Sequence, residues 1–213
     1  MSLLDLDALA AAPLIRDPFD YLLVRDFVRP EAVDAIRADY PQVSKPGSFA
    51  LNDVEVKGAF EALIEAMDGE AFRHAIESKF EMDLEGLPTT YTVRGMCGPA
   101  DGNIHTDSKS KIITVLLYLN EPWAPDGGRL RLLRSGKDLD AVVAEVPPDF
   151  GTLLVFRRAD NSWHGHKPYL GPRRVVQMNW VTSQRVAGWQ MFRHRVSAAV
   201  KRLGPDGQKT DAA

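Results

Sequence analysis

The chain has 213 residues, 45% of them hydrophobic and 26% charged, ordinary globular values that supply enough apolar side chains for one sizeable core. With 26 Lys and Arg against 29 Asp and Glu, the formal charge of -3 gives no whole-chain reason to expect a nucleic-acid partner. Cys97 is the only cysteine, which excludes an internal disulfide framework and a multi-thiolate zinc or iron–sulfur site and fits a reducing, cytoplasmic setting.

The first ten residues are partly apolar but carry Asp5 and Asp7 and lack a basic leader, so no secretory signal is expected. No membrane association is expected either, because the longest strongly apolar stretch, Ile112 to Leu119, is too short to span a bilayer. Phe19 to Phe27 reads as a strand, and Pro30 to Asp39 as a helix with Pro near its start and acids in its first turn. Pro41, Pro46 and Gly47 mark 41–52 as a loop. Helical spacing of Phe60, Leu63, Ile64 and Met67, then of Phe72, Ile76 and Phe80, predicts helices over Lys57–Met67 and Glu70–Phe80 that shield one face of a sheet.

From Thr89 the pattern changes to short β-rich runs, namely 89–97, 111–119, 128–134, 141–146, 151–156, 162–169 and 174–181. Turn residues such as Pro125-Asp-Gly-Gly128 and Pro147-Pro148-Asp-Phe-Gly151 separate them. The fold expected is mainly β with flanking helices, a double-stranded β-helix of the jelly-roll, cupin-like kind. One domain spans 1–213: mainly helical support over 1–88, the β-helix core over 89–181, a C-terminal helix over 186–203 and a frayed tail over 204–213. With Arg185 at its start, that helix carries Arg193, Arg195, Lys201 and Arg202 beside Trp189, Met191 and Phe192, a solvated basic face over an apolar stripe, with docking to an acidic partner as the alternative.

His105-Thr106-Asp107 places an imidazole and a carboxylate at i and i+2, which an extended backbone points to the same side. A third ligand must then come from another strand, and His164, in the second-to-last predicted strand, is the candidate; His166, on the same strand face, is its rival. Two histidines and one carboxylate leave three positions open on an octahedral metal, as an oxygen-activating Fe(II) centre needs. The ordinary alternatives are a turn in which Asp107 caps amides, and a hydrogen-bonded core histidine. His74 and His194, in predicted helices, lack ligand partners, and Cys97, Trp163 and Trp180 read as packing residues.

Through His105-Thr-Asp107, Tyr118-Leu-Asn120, Asp126-Gly-Gly-Arg-Leu130 and His164 to Trp180, the sequence resembles the Fe(II)/2-oxoglutarate-dependent dioxygenases, in particular their prolyl-hydroxylase-like branch. The resemblance covers roughly Tyr91 to Val181. It implies Fe(II) on His105, Asp107 and His164, with 2-oxoglutarate and O2 as cosubstrates and ascorbate as an optional reductant. It also implies a basic anchor for the distal carboxylate of 2-oxoglutarate nine or ten residues after the second histidine. Ten residues on lies Arg174, the preferred anchor; Arg173 is the alternative, because a one-residue register shift exchanges their faces. Tyr118 stands where related hydroxylases hydrogen-bond the same carboxylate, and Tyr91 and Arg94 are expected at the opening.

Arg129 departs from the acidic residue common at its place, and the adjoining glycines read as structural. Asp107 argues against a halogenase, whose metal lacks this carboxylate. The activity implied is hydroxylation of a C–H bond in a peptide side chain, amino acid or other small metabolite, with release of succinate and CO2. Two other classes compete: a non-catalytic β-helix module that binds a ligand or partner, and a cupin-like zinc hydrolase. The substrate is not encoded in any readable motif. Its specificity loops are expected at 41–52 and within 98–103.

Overall fold

A computed structural model describes residues 3–185 and residue 188; apart from residue 188, the helix expected over 186–203, with His194, and the tail 204–213 lie outside the described residues. The helices are α1 (Leu6–Ala11), α2 (Val33–Asp39), α3 (Gly58–Asp68) and α4 (Glu70–Phe80). The strands are β1 (Tyr21–Val24), β2 (Phe49–Ala50), β3 (Thr89–Cys97), β4 (Lys111–Tyr118), β5 (Leu130–Leu133), β6 (Val142–Val146), β7 (Leu153–Arg157), β8 (Trp163–His166) and β9 (Gly171–Val181). Short 3-10 turns occupy Pro30–Ala32 and Leu51–Asp53. Among the described residues no helix is long and apolar enough to cross a membrane.

Two antiparallel sheets face each other in the jelly-roll manner of a double-stranded β-helix. The larger has the order β1-β7-β4-β9-β3-β2, and the smaller β6-β5-β8. Side chains alternate across the larger sheet, so each of its central strands feeds two cores. One face sends Ile113, Val115, Leu117, Val176, Met178 and Trp180 against the helices. There they meet Phe60, Leu63 and Met67 of α3 and Phe72, Ile76 and Phe80 of α4, with the Phe72 ring stacked on Trp180 at 6.2 Å. Each of those helical side chains contributes about 1.5–3 kcal/mol by leaving water. The other face turns Leu116, Tyr118, Leu154, Phe156 and Val175 toward Leu130 and Leu132 of the smaller sheet.

Local chemistry explains the helix boundaries. The Asp5 side chain accepts a hydrogen bond from Ala8 N at 3.0 Å and starts α1, which the sequence reading left without structure. The carboxylate of Asp39 accepts from Ala59 N at 2.7 Å and so reaches across from the end of α2 to start α3. Helix α4 stops where Glu81 turns left-handed, with φ 53°.

Several strand expectations shift. The strand expected over 19–27 is cut to β1, and the loop expected over 41–52 contains β2, which pairs Phe49 and Ala50 with Val93 and Thr92 of β3. The strand expected over 162–169 stops at His166. The last strand begins at Gly171 rather than Arg174, and this matters for the anchor described below.

Candidate metal centre

His105 lies outside the regular strands, fixed by an isolated antiparallel bridge to His164: His105 N donates to His164 O at 3.0 Å, and His164 N to His105 O at 2.9 Å. The bridge sets the two imidazoles side by side, with ring centroids 4.3 Å apart. Asp107, two residues on, faces the same space, and one ligand atom from each of His105, Asp107 and His164 lies within 4.8 Å of the other two. His166 is not in this group, so of the two histidines on β8 it is His164 that meets His105 and Asp107.

The hydrogen bonds fix the tautomers. Nδ1 of His105 is 2.9 Å from Asn103 O, and Nδ1 of His164 is 3.0 Å from Ser162 O. A carbonyl oxygen can only accept, so both Nδ1 atoms carry the proton and both Nε2 lone pairs remain available to a cation. Burial holds the His164 imidazole down at about 4, against the pull of the Asp107 carboxylate, so it is neutral near pH 7. Burial also works to raise the Asp107 carboxyl, but the Lys111 charge, His164 and two hydrogen bonds outweigh it and hold the group at about 2. Those hydrogen bonds come from Lys111 Nζ at 2.7 Å and Thr114 Oγ1 at 2.6 Å, one to each carboxylate oxygen. Two imidazoles with Nε2 turned to one point and one ionised carboxylate, each oriented by a second group, form a donor set that fits a divalent iron.

The three groups open into a cleft of about 250 Å3 between the sheets. At its other end lie Arg173 and Tyr118. Arg173 is 5% exposed; its Nε donates to Gly128 O at 2.7 Å, its Nη2 lies 3.4 Å from Tyr118 Oη, and its Cζ sits 5.2 Å from the centre of the Tyr118 ring. Burial raises the Tyr118 hydroxyl well above its usual range against the neighbouring Arg173 charge, so the phenol is protonated and able to donate. Leu116, Leu130, Phe156 and Val175 wall the cleft with apolar surface, the Phe156 ring 5.1 Å from that of His164.

Of the two neighbouring arginines, Arg173, the alternative in the sequence reading, lines the cleft, and Arg174 does not. Odd-numbered residues of β9 (Arg173, Val175, Gln177) line the cleft, whereas even-numbered ones face the helices. The Arg174 guanidinium accordingly lies 5.3 Å over the Tyr40 ring, outside the cleft. Tyr91 is on the helix side too, donating to Asp68 Oδ1 at 3.1 Å, and so does not line the opening; Arg94 does.

His166 lines the cleft beside Arg173. Its Nδ1 donates to Lys167 O at 2.8 Å, its Nε2 faces Cys97 Sγ at 3.8 Å, and burial together with the Arg173 charge lowers it to about 4. Trp180 is a packing residue of the helix-side core, and His74 is exposed on α4. The glycines of the Asp126–Leu130 turn do more than shape it: Gly128, at φ 80°, presents the carbonyl that aims Arg173. Sequence reasoning missed Lys111 and Thr114 as partners of Asp107, and also missed the chain of contacts through Asn179. Thr114 Oγ1 lies 3.2 Å from Asn179 Oδ1, which accepts from Gln177 Nε2 at 3.1 Å. A larger cavity of about 430 Å3, bordered by Val43, Phe49 and Val54, contains none of these groups.

Residues 93–182 match the model of the 2OG-Fe(II) oxygenase superfamily. No curated protein matches the chain. Among solved structures, a prolyl-4-hydroxylase from Pseudomonas putida is 24% identical, with 83% of this chain and 90% of that one aligned at a TM-score of 0.52. A viral collagen prolyl hydroxylase from Paramecium bursaria Chlorella virus-1, solved with 2-oxoglutarate, is 16% identical over 79% of this chain and 99% of that one, at 0.53. A Trichoplax adhaerens prolyl hydroxylase, solved with a peptide of hypoxia inducible factor, is 14% identical over 86% of this chain and 91% of that one, at 0.54. These structural likenesses concern the fold, and the family match spans the strands that form the cleft. Residues 93–182 thus match the 2OG-Fe(II) oxygenase superfamily, whose members are oxidoreductases that work with Fe(II), 2-oxoglutarate and O2, and the chain has the fold seen in these prolyl hydroxylases.

Proposed function

We propose that His105, Asp107 and His164 hold Fe(II), that Arg173 with Tyr118 holds 2-oxoglutarate, and that the chain hydroxylates a C–H bond of a peptide side chain, amino acid or small metabolite. The observation that carries this reading is the presence, in one cleft, of a three-ligand cluster and a buried guanidinium–phenol pair. A binding relic has no need of both, and a zinc hydrolase has no need of the second.

When bound, iron and 2-oxoglutarate together supply the oxidising power, with O2 divided between succinate and a hydroxylated product as CO2 is released. The chain's own residues bind and position. His105 and His164 offer Nε2, and their Nδ1–H bonds to backbone carbonyls keep the rings from turning. Lys111 and Thr114 hold the Asp107 carboxylate ionised and aimed. Arg173, braced through Nε by Gly128 O, keeps its Nη atoms for a carboxylate, and the Tyr118 hydroxyl adds a donor beside them. The apolar walls at Leu116, Leu130, Phe156 and Val175 keep water from that ion pair and strengthen it. The unpaired Cys97 suits a reducing, cytoplasmic setting.

The test is turnover. With Fe(II), ascorbate and peptide or metabolite pools, the protein is expected to convert 2-oxoglutarate to succinate and to add one oxygen atom to a substrate, read by mass spectrometry. Hydrolysis with zinc that ignores 2-oxoglutarate would replace this reading with the hydrolase. Tight 2-oxoglutarate binding with no succinate from any pool would favour the binding module.

A further inference from the structure

Three cationic side chains line the cleft, namely Arg94, Lys111 and Arg173, while Asp107 is the one carboxylate among the groups that line it. Lys111 is matched by Asp107 at 2.7 Å. Arg94 is matched by Asp101 at 3.0 Å, from outside the lining. A divalent ion and a dicarboxylate cancel, so the loaded cleft keeps one positive charge in excess. Arg173 is committed to the anchor end, and Lys111 to a metal ligand. Arg94 is the cation with no task in binding iron or 2-oxoglutarate.

Its position gives it one. In the larger sheet Arg94 of β3 stands opposite Val175 of β9, which stands opposite Tyr118 of β4, so Arg94 and Tyr118 are two strands apart, about 10 Å. The guanidinium is tied toward the edge of the sheet: its Nε donates to Ser48 Oγ at 2.9 Å, on the segment leading into the edge strand β2. Ser48 and Asp101 thus fix the fork on the β3 side of the cleft, two strands from Tyr118 yet near enough for its charge to act on that hydroxyl, and a guanidinium with five N–H groups retains donors for a ligand. A planar, permanently charged fork held in place matches a carboxylate.

We propose that the substrate carries a free carboxylate, as an amino acid or a chain terminus does, and that Arg94 receives it and so places the neighbouring C–H toward the metal end. This rests on the iron- and 2-oxoglutarate-dependent reading above. Arg94 is then a specificity-determining residue, and Ser48 and Asp101 position it.

The probes are the common L-amino acids as free acids, as N-acetylated acids and as the corresponding amides. Each is titrated anaerobically into enzyme loaded with Fe(II) and 2-oxoglutarate while the visible charge-transfer band is followed, and is then assayed in air for stimulated succinate release. Acids are expected to shift the band and stimulate release, with amides weaker by about 10-fold or more. In Arg94→Gln that preference collapses, and in Arg94→Lys part of it survives; the band itself reports that each variant still forms the site. Amides as effective as acids, or no response to either, would overturn the proposal. So would an Arg94→Gln defect that appears as a raised requirement for 2-oxoglutarate. Absence of the band in the wild-type protein would instead refute the underlying reading.

Discussion

The two ends of the cleft are held by different devices. At the metal end, His105 is placed by an isolated bridge and both imidazoles are tethered to carbonyls two residues away in sequence, Asn103 for His105 and Ser162 for His164. At the anchor end, Arg173 and Tyr118 sit on central strands of the larger sheet and are placed by register, with the Gly128 carbonyl bracing the Arg173 guanidinium. Local tethers therefore orient the metal-end imidazoles once one bridge has brought them together, whereas strand register positions the anchor end. A ligand substitution should damage one function without displacing its neighbours, whereas a change of register would exchange a whole face.

The sharpest way to break this contrast is to remove a ligand. His164→Ala is expected to abolish iron binding and turnover, while His166→Leu, two residues away on the same face, should leave iron affinity within about 10-fold. Equal losses would mean that the triad has been drawn with the wrong histidine. Next in size is the anchor. Arg173→Met is expected to raise the KM for 2-oxoglutarate about 100-fold or more, because it removes a buried charge-assisted contact, and Arg174→Met to change it by no more than about 3-fold. Steady-state assays of the two variants decide whether the register places the anchor as described.

A smaller effect is expected from the groups behind the ligands. Thr114→Val leaves Asp107 without one of its two donors and should weaken iron affinity about 10-fold, measured by competition with a chelator. The least local prediction concerns pH. His164 and His166 are both held near 4, below the ordinary histidine value of 6.5, so between those values the unfolded chain binds protons that the native one refuses. Stability of the metal-free protein should fall by a few kcal/mol as the pH drops from 6.5 to 4, visible in thermal melts. Protonation of Asp107 extends the loss as the pH falls from 3.8 toward 2. A flat melting profile across the histidine window would mean that neither imidazole is as desolvated as the fold implies.

The same difference governs how much the sequence discloses. His105-x-Asp107 is legible because its meaning lies in a two-residue spacing, and α3 and α4 are legible because Phe60, Leu63 and Met67, then Phe72, Ile76 and Phe80, repeat at helical intervals. Arg173 is not legible. Strand β9 is buried on both faces, with Val175 and Val176 adjacent and both inside, so no alternation marks which of two neighbouring arginines points into the cleft. Tyr91 is misread for a related reason: β3 also packs on both faces, and Tyr91 and Val93 fall on its helix side. The Lys111–Asp107 pair is hidden by the turn at 108–110, which brings the start of β4 back over the ligand. Helix α1 is too short for its periodicity to show, and only the cap at Asp5 announces it.

The most direct measurement is a crystal structure of the protein soaked anaerobically with Mn(II) as an iron substitute and 2-oxoglutarate. The account predicts one ion bound by Nε2 of His105, Nε2 of His164 and a carboxylate oxygen of Asp107, and the far carboxylate of 2-oxoglutarate on Arg173 and Tyr118. An ion bound elsewhere, or a far carboxylate resting on Arg174, would contradict it.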